Sequence, residues 1–321
     1  MEFDNAKIKW WCIEGGSKVF IDRMVQKIKQ KPLTRKRVTS ISVDNETKPY
    51  TTMKVQVQNE KKPRTYSHVL STVPLSCLRC INLADAALSY DQHVAIRSLG
   101  YDSSVKVGIK FRTHWWRKCG LNQPTVAYGL TDGLIGLCVY PSYGLDDPTD
   151  SPGVMIASYI LSQDARRMGA LCQGKGTKVE ARLIDLVLFD LAKLHNVTYD
   201  ELEEEMLDHY AHDWYRDENA MGAFALFGPE QFSNSYPSLL KPAGKGKLNF
   251  IGEAVSRQHG WVSGSLNSAW RGIDNMFNRE GDEACRKKLR EDWGIVKDHS
   301  EATLNLSVLF GTKGPQEPCC D

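Results

Sequence analysis

Residues 248–277, LNFIGEAVSRQHGWVSGSLNSAWRGIDNMF, decide how the chain folds. Leu248 to Ile251 form a short apolar run, and Gly252-Glu253 ends it with a turn and an acid. From Gly264 onward Leu266, Ala269, Trp270, Ile273 and Phe277 recur at helical spacing, so the stretch predicts strand, turn, loop and helix. Gly260 and Gly264 allow backbone to approach a flat ligand, and the unpaired N–H groups at a helix start favour a phosphate or another electron-rich group. Trp261 between them supplies a flat apolar wall. Spacing alone supports equally well a strand and helix that simply complete an α/β sheet.

Working outward, 321 residues with 41% hydrophobic and 25% charged content describe a globular chain, long enough for one large or two interleaved domains. A formal net charge of +2 and a pI near 8.0 are too mild to argue for a nucleic-acid partner, and no basic amphipathic helix suggests a membrane surface. No apolar run approaches the roughly 18 residues needed to span a bilayer. The polar start MEFDNAKIK has no signal-peptide character, so a cytoplasmic chain is expected. Nine cysteines without regular spacing point to reduced thiols rather than a disulfide framework. Cys77-Leu-Arg-Cys80 is a single CxxC, and without a second pair it completes no zinc site.

Along the chain, Gly15-Gly16 and Ser17 open a helix to about Gln30 with Phe20, Ile21, Met24, Val25 and Ile28 on one face. Val38 to Val43 and Met53 to Val57 alternate as the strands of a β-ribbon. His68 to Pro74 reads as a buried strand ended by proline, with a domain boundary near residue 80. A helix is expected over about 85–99 with Leu88, Val94, Ala95 and Leu99 inward. The strand at 105–111 puts Val105, Val107 and Ile109 on one face and Lys106, Gly108 and Lys110 on the other. From 126 to 159, glycine- and proline-rich loops alternate with strand-like runs at 137–140 and 154–160. Tyr128, Tyr140 and Tyr143 there either pack in a core or line a pocket. Helices are expected at 178–195, with Leu183, Leu186, Val187, Leu191 and Leu194 inward, and at 199–214, a strongly acidic one. His209 and His212 with Asp208 and Asp213 would share a face of that second helix, too few ligands for a metal site, and no metal is expected. A charged helix at 278–293 and a polar tail at 311–321, with Cys319-Cys320 outside any C-a-a-X box, close the chain. The acceptor triplets at Asn45, Asn196 and Asn305 are expected to stay unglycosylated.

The run GEAVSRQHGWVSGSLNSAWRG resembles the C-terminal FAD-binding motif of the flavin-containing amine oxidases, among them monoamine oxidases and L-amino-acid oxidases, and in particular the fungal amino-acid-oxidase-like branch. WWCIEGGSKVFIDRM, VLSTVPLSCLRCINL, SSVKVGIKFRTHWW and GAFALFGPEQF resemble further segments of that family in the family's order, from about residue 10 to 277. The resemblance implies an α/β (α+β) fold, with an incomplete FAD-binding Rossmann-like domain interleaved with a substrate domain of mixed sheet plus helices. The corresponding divisions are 1–82 for an FAD-domain portion, 83–225 for the substrate domain, 226–277 for the C-terminal FAD-binding motif and 278–321 for the charged helix and tail.

It also implies roles for particular residues. Lys106 would hold a water against flavin N5, with Lys110 the second choice. Val38 would touch the adenine of FAD through its backbone, and Glu253 beside Gly252 would lie near the ribityl and pyrophosphate part. Gly260, Trp261 and Val262 would complete the cofactor contacts, and Phe224 and Phe227, with Trp261, would border the substrate cavity or simply pack.

The departure is at the front of the family pattern: no G-x-G-x-x-G turn occurs, since Gly174-Lys-Gly176 and Gly244-Lys-Gly246 lack the third glycine and follow no strand. The expected activity is oxidation of an amine or L-amino acid to an imine, with dioxygen reduced to hydrogen peroxide. The nucleotide-binding front would come from a partner chain, or the gene is split or truncated; a homo-oligomer is the other partner expectation. A catalytically inactive binding or scaffold subunit is the alternative. An NAD(P)-dependent dehydrogenase is disfavoured by the missing fingerprint.

Overall fold

The computed structural model describes residues 11–44, 51–119 and 128–296. In chain order its helices are α1 (Ser17–Lys27), α2 (Leu75–Leu78), α3 (Tyr90–Ser98), α4 (Ser162–Gly169), α5 (Lys178–His195), α6 (Tyr199–Glu205), α7 (Gln231–Asn234), α8 (Tyr236–Leu239), α9 (Val262–Glu280) and α10 (Glu283–Trp293). Its strands are β1 (Val38–Asp44), β2 (Thr52–Val57), β3 (Arg64–Tyr66), β4 (Val69–Ser71), β5 (Tyr101–Asp102), β6 (Ser104–Phe111), β7 (Tyr128–Leu130), β8 (Leu137–Val139), β9 (Gly153–Leu161), β10 (Met206–Asp213), β11 (Phe224–Ala225) and β12 (Leu248–Phe250). One unit holds Met1–Arg35 with Ser104–Asp213, and a second holds Lys36–Ser103 with Trp214–Asp321. The fold is mixed α/β, as the sequence implies.

In the first unit, antiparallel strands form one sheet in the order β10-β6-β9-β8-β7. The period-two pattern of β6 decides its faces. Val105, Val107, Ile109 and Phe111 are fully buried and join Leu183, Val187, Leu188 and Leu191 of α5 in one core. Each such side chain contributes roughly 1.5–3 kcal/mol when removed from water. Thr177 starts α5 by accepting the Glu180 N–H, and Asn196 in the left-handed region ends it. Leu186 differs from expectation, being exposed, while Leu194 packs at the edge of the core. Tyr140 is buried, and Tyr128 and Tyr143 are exposed. β9 carries a bulge where Val107 pairs with Ser158 and Gly108 with Ile156. As a result Ala157 and Ser158 both face inward, and Tyr159 shares the open face with Lys106.

The expected helix at 199–214 is corrected: α6 stops at Glu205 and the chain continues as strand β10. Thr198 and Glu201 form a capping box that accounts for the helix start. Downstream, MLDHYAHD alternates in and out and pairs along β6, and this pairing overrides the helical spacing of the acids. His209 and His212 therefore lie on opposite faces, with His209 3.5 Å from the buried Glu180. No group of three His, Cys, Asp or Glu side chains among the described residues is placed to hold a metal ion.

In the second unit β4 and β12 pair in parallel, and α9 returns across the end of β12. The return is tight. A Cβ at Gly272 would lie 2.3 Å from the Ile251 side chain, so glycine is what lets the helix reach the strand. Gly252, at φ 101, makes the turn and donates its N–H to Ser268 Oγ on α9 at 3.1 Å. β1, β2 and β3 form a ribbon, and Ile41 and Met53 join Leu78, Ile96, Tyr236, Leu248 and Phe250 in this unit's core.

Several boundaries differ from expectation for identifiable reasons. The helix expected over 85–99 begins only at Tyr90, because Ser89 and Gln92 form a reciprocal cap; Val94 is exposed, while Ala95 and Leu99 are buried. α1 stops at Lys27 and buries none of its residues. The helix expected over 278–293 is two: α9 runs to Glu280, Gly281 turns in the left-handed region, and Asp282 caps α10. The tail at 311–321 and the triplets at Asn45 and Asn305 lie outside the described residues. No described helix is long and apolar enough to cross a membrane.

Candidate functional site

β4 and β12 end at the same level, with Val69 opposite Leu248 and Ser71 opposite Phe250. Beyond their carboxyl ends the chain turns away on both sides, into Thr72-Val73-Pro74 and Ile251-Gly252-Glu253, the position at which open α/β sheets receive ligands. A cavity of about 160 Å³ lies there, bordered by Ser71, Thr72, Pro74, Tyr101, Ile251 and Glu253. Ser71 Oγ is buried with no hydrogen-bond partner among the described residues, a condition that costs about 1–3 kcal/mol and that a ligand atom would relieve. The Tyr101 hydroxyl accepts the Leu75 N–H at 3.2 Å. Burial pushes its pKa up, so it keeps a proton to donate.

Glu253 follows the Gly252 turn. Its carboxylate accepts the N–H of Gly260 at 2.9 Å and of Ala225 at 3.1 Å, tying the 256–261 loop and β11 to the strand end. Burial raises its pKa, with the Gly260 and Ala225 hydrogen bonds opposing. Gly260, at φ 75, brings the loop beside Phe224, whose ring a Cβ at Gly260 would approach to 3.9 Å. Trp261 and Val262 at the start of α9 are 52% and 66% exposed, enough apolar surface to receive a flat ligand. Among the described residues α9 has no side-chain cap at its start, where an anion could pair with its first N–H groups.

The structure thus brings together Gly252, Glu253, Gly260, Trp261, Val262 and Phe224. Phe227 belongs to an adjoining ring cluster, 4.5 Å from His259 and 4.9 Å from Phe232 by centroids. His259 in that cluster has its pKa lowered by burial, which keeps it neutral. Val38 opens β1, pairs with Val57 and packs at the edge of the core, away from the β4–β12 pair in its hydrogen bonding. Ser71, Thr72 and Tyr101 escaped the sequence reading, because one serine in an apolar strand and one tyrosine after a glycine carry no signal on their own.

Lys106 lies in the other unit, on the open face of the five-stranded sheet. Its ammonium stands 4.4 Å from the centroid of the Tyr159 ring, an arrangement that restrains a flexible cation. His212 is its neighbour on β10. Along the same strand the Tyr210 hydroxyl lies 3.3 Å from His212 Nδ1. Lys110, two steps beyond Gly108, is exposed.

The flavin containing amine oxidoreductase family matches residues 3–272. The chain belongs to that family. A Dictyostelium discoideum protein designated a bifunctional amine oxidase is 39% identical over 299 residues, which span 92% of this chain and 27% of the relative. L-amino-acid oxidase 4 of Hebeloma cylindrosporum is 40% identical over 305 residues, or 91% of this chain and 48% of the relative. Among solved structures, a putrescine oxidase variant superposes with a TM-score of 0.66 at 17% identity, over 83% of this chain and 53% of that one. Cyclohexylamine oxidase from Brevibacterium oxydans does so at 0.57 and 16%, over 76% and 48%. These two likenesses show the fold. The chain spans about half the length, or less, of the relatives it matches.

For a flavin-containing amine oxidoreductase the residues at the β4–β12 crevice fit part of an extended dinucleotide. The cavity of about 160 Å³ is smaller than the roughly 300–1,000 Å³ of a whole small-molecule site. The unpaired Ser71 Oγ, the open N–H groups of α9 and the exposed Trp261 ring supply donor, anion-binding and stacking groups around it.

Proposed function

We propose that the chain forms the flavin- and substrate-facing part of an FAD-dependent oxidase that converts an amine or L-amino acid to the imine and reduces dioxygen to hydrogen peroxide. One observation carries the reading within this family: a crevice at the carboxyl ends of parallel β4 and β12 that contains a buried serine hydroxyl without a partner among the described residues. The L-amino-acid oxidase named among the relatives supports an amine-bearing substrate.

FAD, when bound, accepts hydride from the carbon that bears the amine and passes the electrons to dioxygen. The protein's own residues bind, orient and exclude water. Ser71 and the first N–H groups of α9 would hold oxygen atoms of the cofactor, Gly252 would give backbone access, and Trp261 would cover an apolar face. Glu253 fixes the 256–261 loop through Gly260 and Ala225. Lys106 would donate an N–H to a water near the bound flavin, and its positive charge would stabilise negative charge developing there. Phe224 and Phe227 exclude water on the substrate side.

The test is spectroscopic. Flavin fluorescence is titrated with the chain alone and with an added polypeptide that carries a G-x-G-x-x-G turn, followed by peroxide detection with amines and L-amino acids. Quenching that strengthens with the added polypeptide, then peroxide formation, is the expected outcome; flavin fluorescence unmoved at high protein concentration in both arrangements rejects the proposal.

A further inference from the structure

Gly108 occupies the middle of β6, with β10 on one side and β9 on the other. A glycine in a strand interior costs roughly 0.5–1 kcal/mol relative to alanine, so its presence needs a reason. Backbone conformation does not supply one, because Gly108 is not among the residues of positive φ. Packing does not supply one either. A Cβ built at this position would meet nothing closer than the carbonyl oxygens of Met155 and Tyr210, both at 3.9 Å, which is ordinary contact. Glycine inside a strand marks a bulge or the close approach of something that lies on the sheet, and the bulge beside Gly108 belongs to β9, which leaves the second reason for β6.

The surroundings indicate what approaches. Gly108 faces the same way as Lys106 and Lys110, on the side of β6 opposite the core residues Val107 and Ile109. Its cross-strand neighbours on that face are Tyr210 of β10 and Ile156 of β9. Tyr210 is 69% exposed, with its ring stacked on His212 of the same strand. The β9 bulge falls beside Gly108, and bulges at such places re-aim the neighbouring side chains. Two residues of strand place Gly108 about 6.8 Å from Lys106 along the chain. Gly108 is thus bare backbone on this face, flanked in the ladder by Tyr210 and Ile156, with Lys106 on the same face.

We propose that Gly108 is a specificity-determining residue, whose missing side chain admits the apolar side chain of the amine or amino-acid substrate between Tyr210 and Ile156. This rests on the oxidase reading above, which assigns the Lys106 face to the reacting centre. A methyl group at 108 takes up part of the space above the backbone, and a branched side chain takes up more of it.

The experiment compares the parent with Gly108→Ala and Gly108→Val. Thermal midpoints are measured first, then binding of a small and a bulky apolar amine, ethylamine and 3-methylbutylamine, by calorimetry in the presence of FAD. The expected result is that both variants melt at or above the parental temperature, while the preference for the bulky amine falls about threefold in Gly108→Ala and at least tenfold in Gly108→Val. A large drop in melting temperature for Gly108→Ala shows that the glycine serves the fold, and overturns the proposal. An unchanged preference in a folded Gly108→Val overturns it too. Failure of the oxidase reading is seen separately, as a parent that quenches no flavin fluorescence, and it removes the basis for this inference as well.

Discussion

The carboxylate of Glu253 accepts the backbone N–H of Gly260 at 2.9 Å, and it accepts that of the buried Ala225 from a different strand. An acid placed by the end of β12 therefore shapes the loop that leads to Trp261. Glu253→Ala strands two N–H groups, at about 1–3 kcal/mol for each one that stays buried. The expected outcome is a lower melting temperature together with weaker flavin quenching. Glu253→Gln keeps an acceptor and removes the charge. Burial raises the Glu253 pKa above its ordinary value near 4.5, so its contribution is complete below that value and is lost as pH rises through the raised one. Melting followed from pH 4 upward should show that loss in the parent and not in Glu253→Gln; parallel curves for the two proteins would contradict the assignment.

Lys106 is the second target. Its ammonium rests 4.4 Å from the Tyr159 ring, on the face opposite Val105, Val107 and Ile109. Methionine has similar length and no charge, so Lys106→Met isolates the electrostatic role. In the flavin-loaded protein, cofactor affinity should stay near the parental value, while reoxidation by dioxygen slows at least about tenfold, roughly 1.4 kcal/mol of barrier. Stopped-flow absorbance of the flavin measures this directly. If Lys110→Met is slow and Lys106→Met is not, the exposed lysine is the functional one.

What the sequence made legible follows from how local each signal is. β6 and α5 were readable because Val105, Val107 and Ile109 alternate at period two and Leu183, Val187 and Leu191 recur at helical spacing, both dictated by one-sided burial. β10 was not readable. Its histidines and aspartates follow the acids of α6 at helical spacing, and only pairing with β6 turns them into a strand. The bulge that turns Ala157 and Ser158 inward together depends likewise on a neighbouring strand. At the crevice, the Gly252-Glu253 turn could be located from the chain itself. The Ala225 and Gly260 partners of Glu253, and the orphaned hydroxyl of Ser71, depend on a parallel pairing between segments far apart in sequence.

His195 gives the first unit a pH dependence. Its Nδ1 bonds the Leu191 carbonyl at 2.8 Å, so Nδ1 carries the proton and Nε2 accepts from the Tyr140 hydroxyl at 2.7 Å, an arrangement of the neutral ring. Burial lowers its pKa below the ordinary 6.5, with the Leu191 carbonyl opposing. The folded protein then binds fewer protons than the unfolded chain below pH 6.5, so stability is retained above that value and declines as pH falls toward the lowered one. Melting temperature should fall between pH 7.5 and 5.5, and His195→Phe should flatten part of that slope. A residual slope is expected from His259 in the second unit, whose pKa burial also lowers. An identical slope in His195→Phe would show that the imidazole titrates alike in both states.

Asp274 provides the last prediction, because α10 has no buried residue and needs another hold on the protein. Asp274 on α9 is 2% exposed, and its Oδ1 accepts Nε of Arg286 at 3.1 Å and Nε of Arg290 at 3.0 Å. Oδ2 accepts the terminal nitrogens of the same arginines at 3.3 and 3.2 Å, so one carboxylate receives two forked guanidinium groups. Burial alone would raise its pKa, but the hydrogen bonds from Arg286 and Arg290 outweigh burial and hold it below the ordinary 3.8. The contribution is therefore present above that value and lost as pH falls through the lowered one. Asn at this position keeps an acceptor of similar shape and loses the charge, leaving both arginines facing a neutral amide. Without apolar burial to compensate, α10 should detach locally while α9 and the β4–β12 pair stay folded. Hydrogen exchange on Asp274→Asn should show α10 amides losing protection at least about tenfold against unchanged α9 amides, since local opening reports local stability. Equal protection of α10 in parent and variant would mean that other contacts hold the helix.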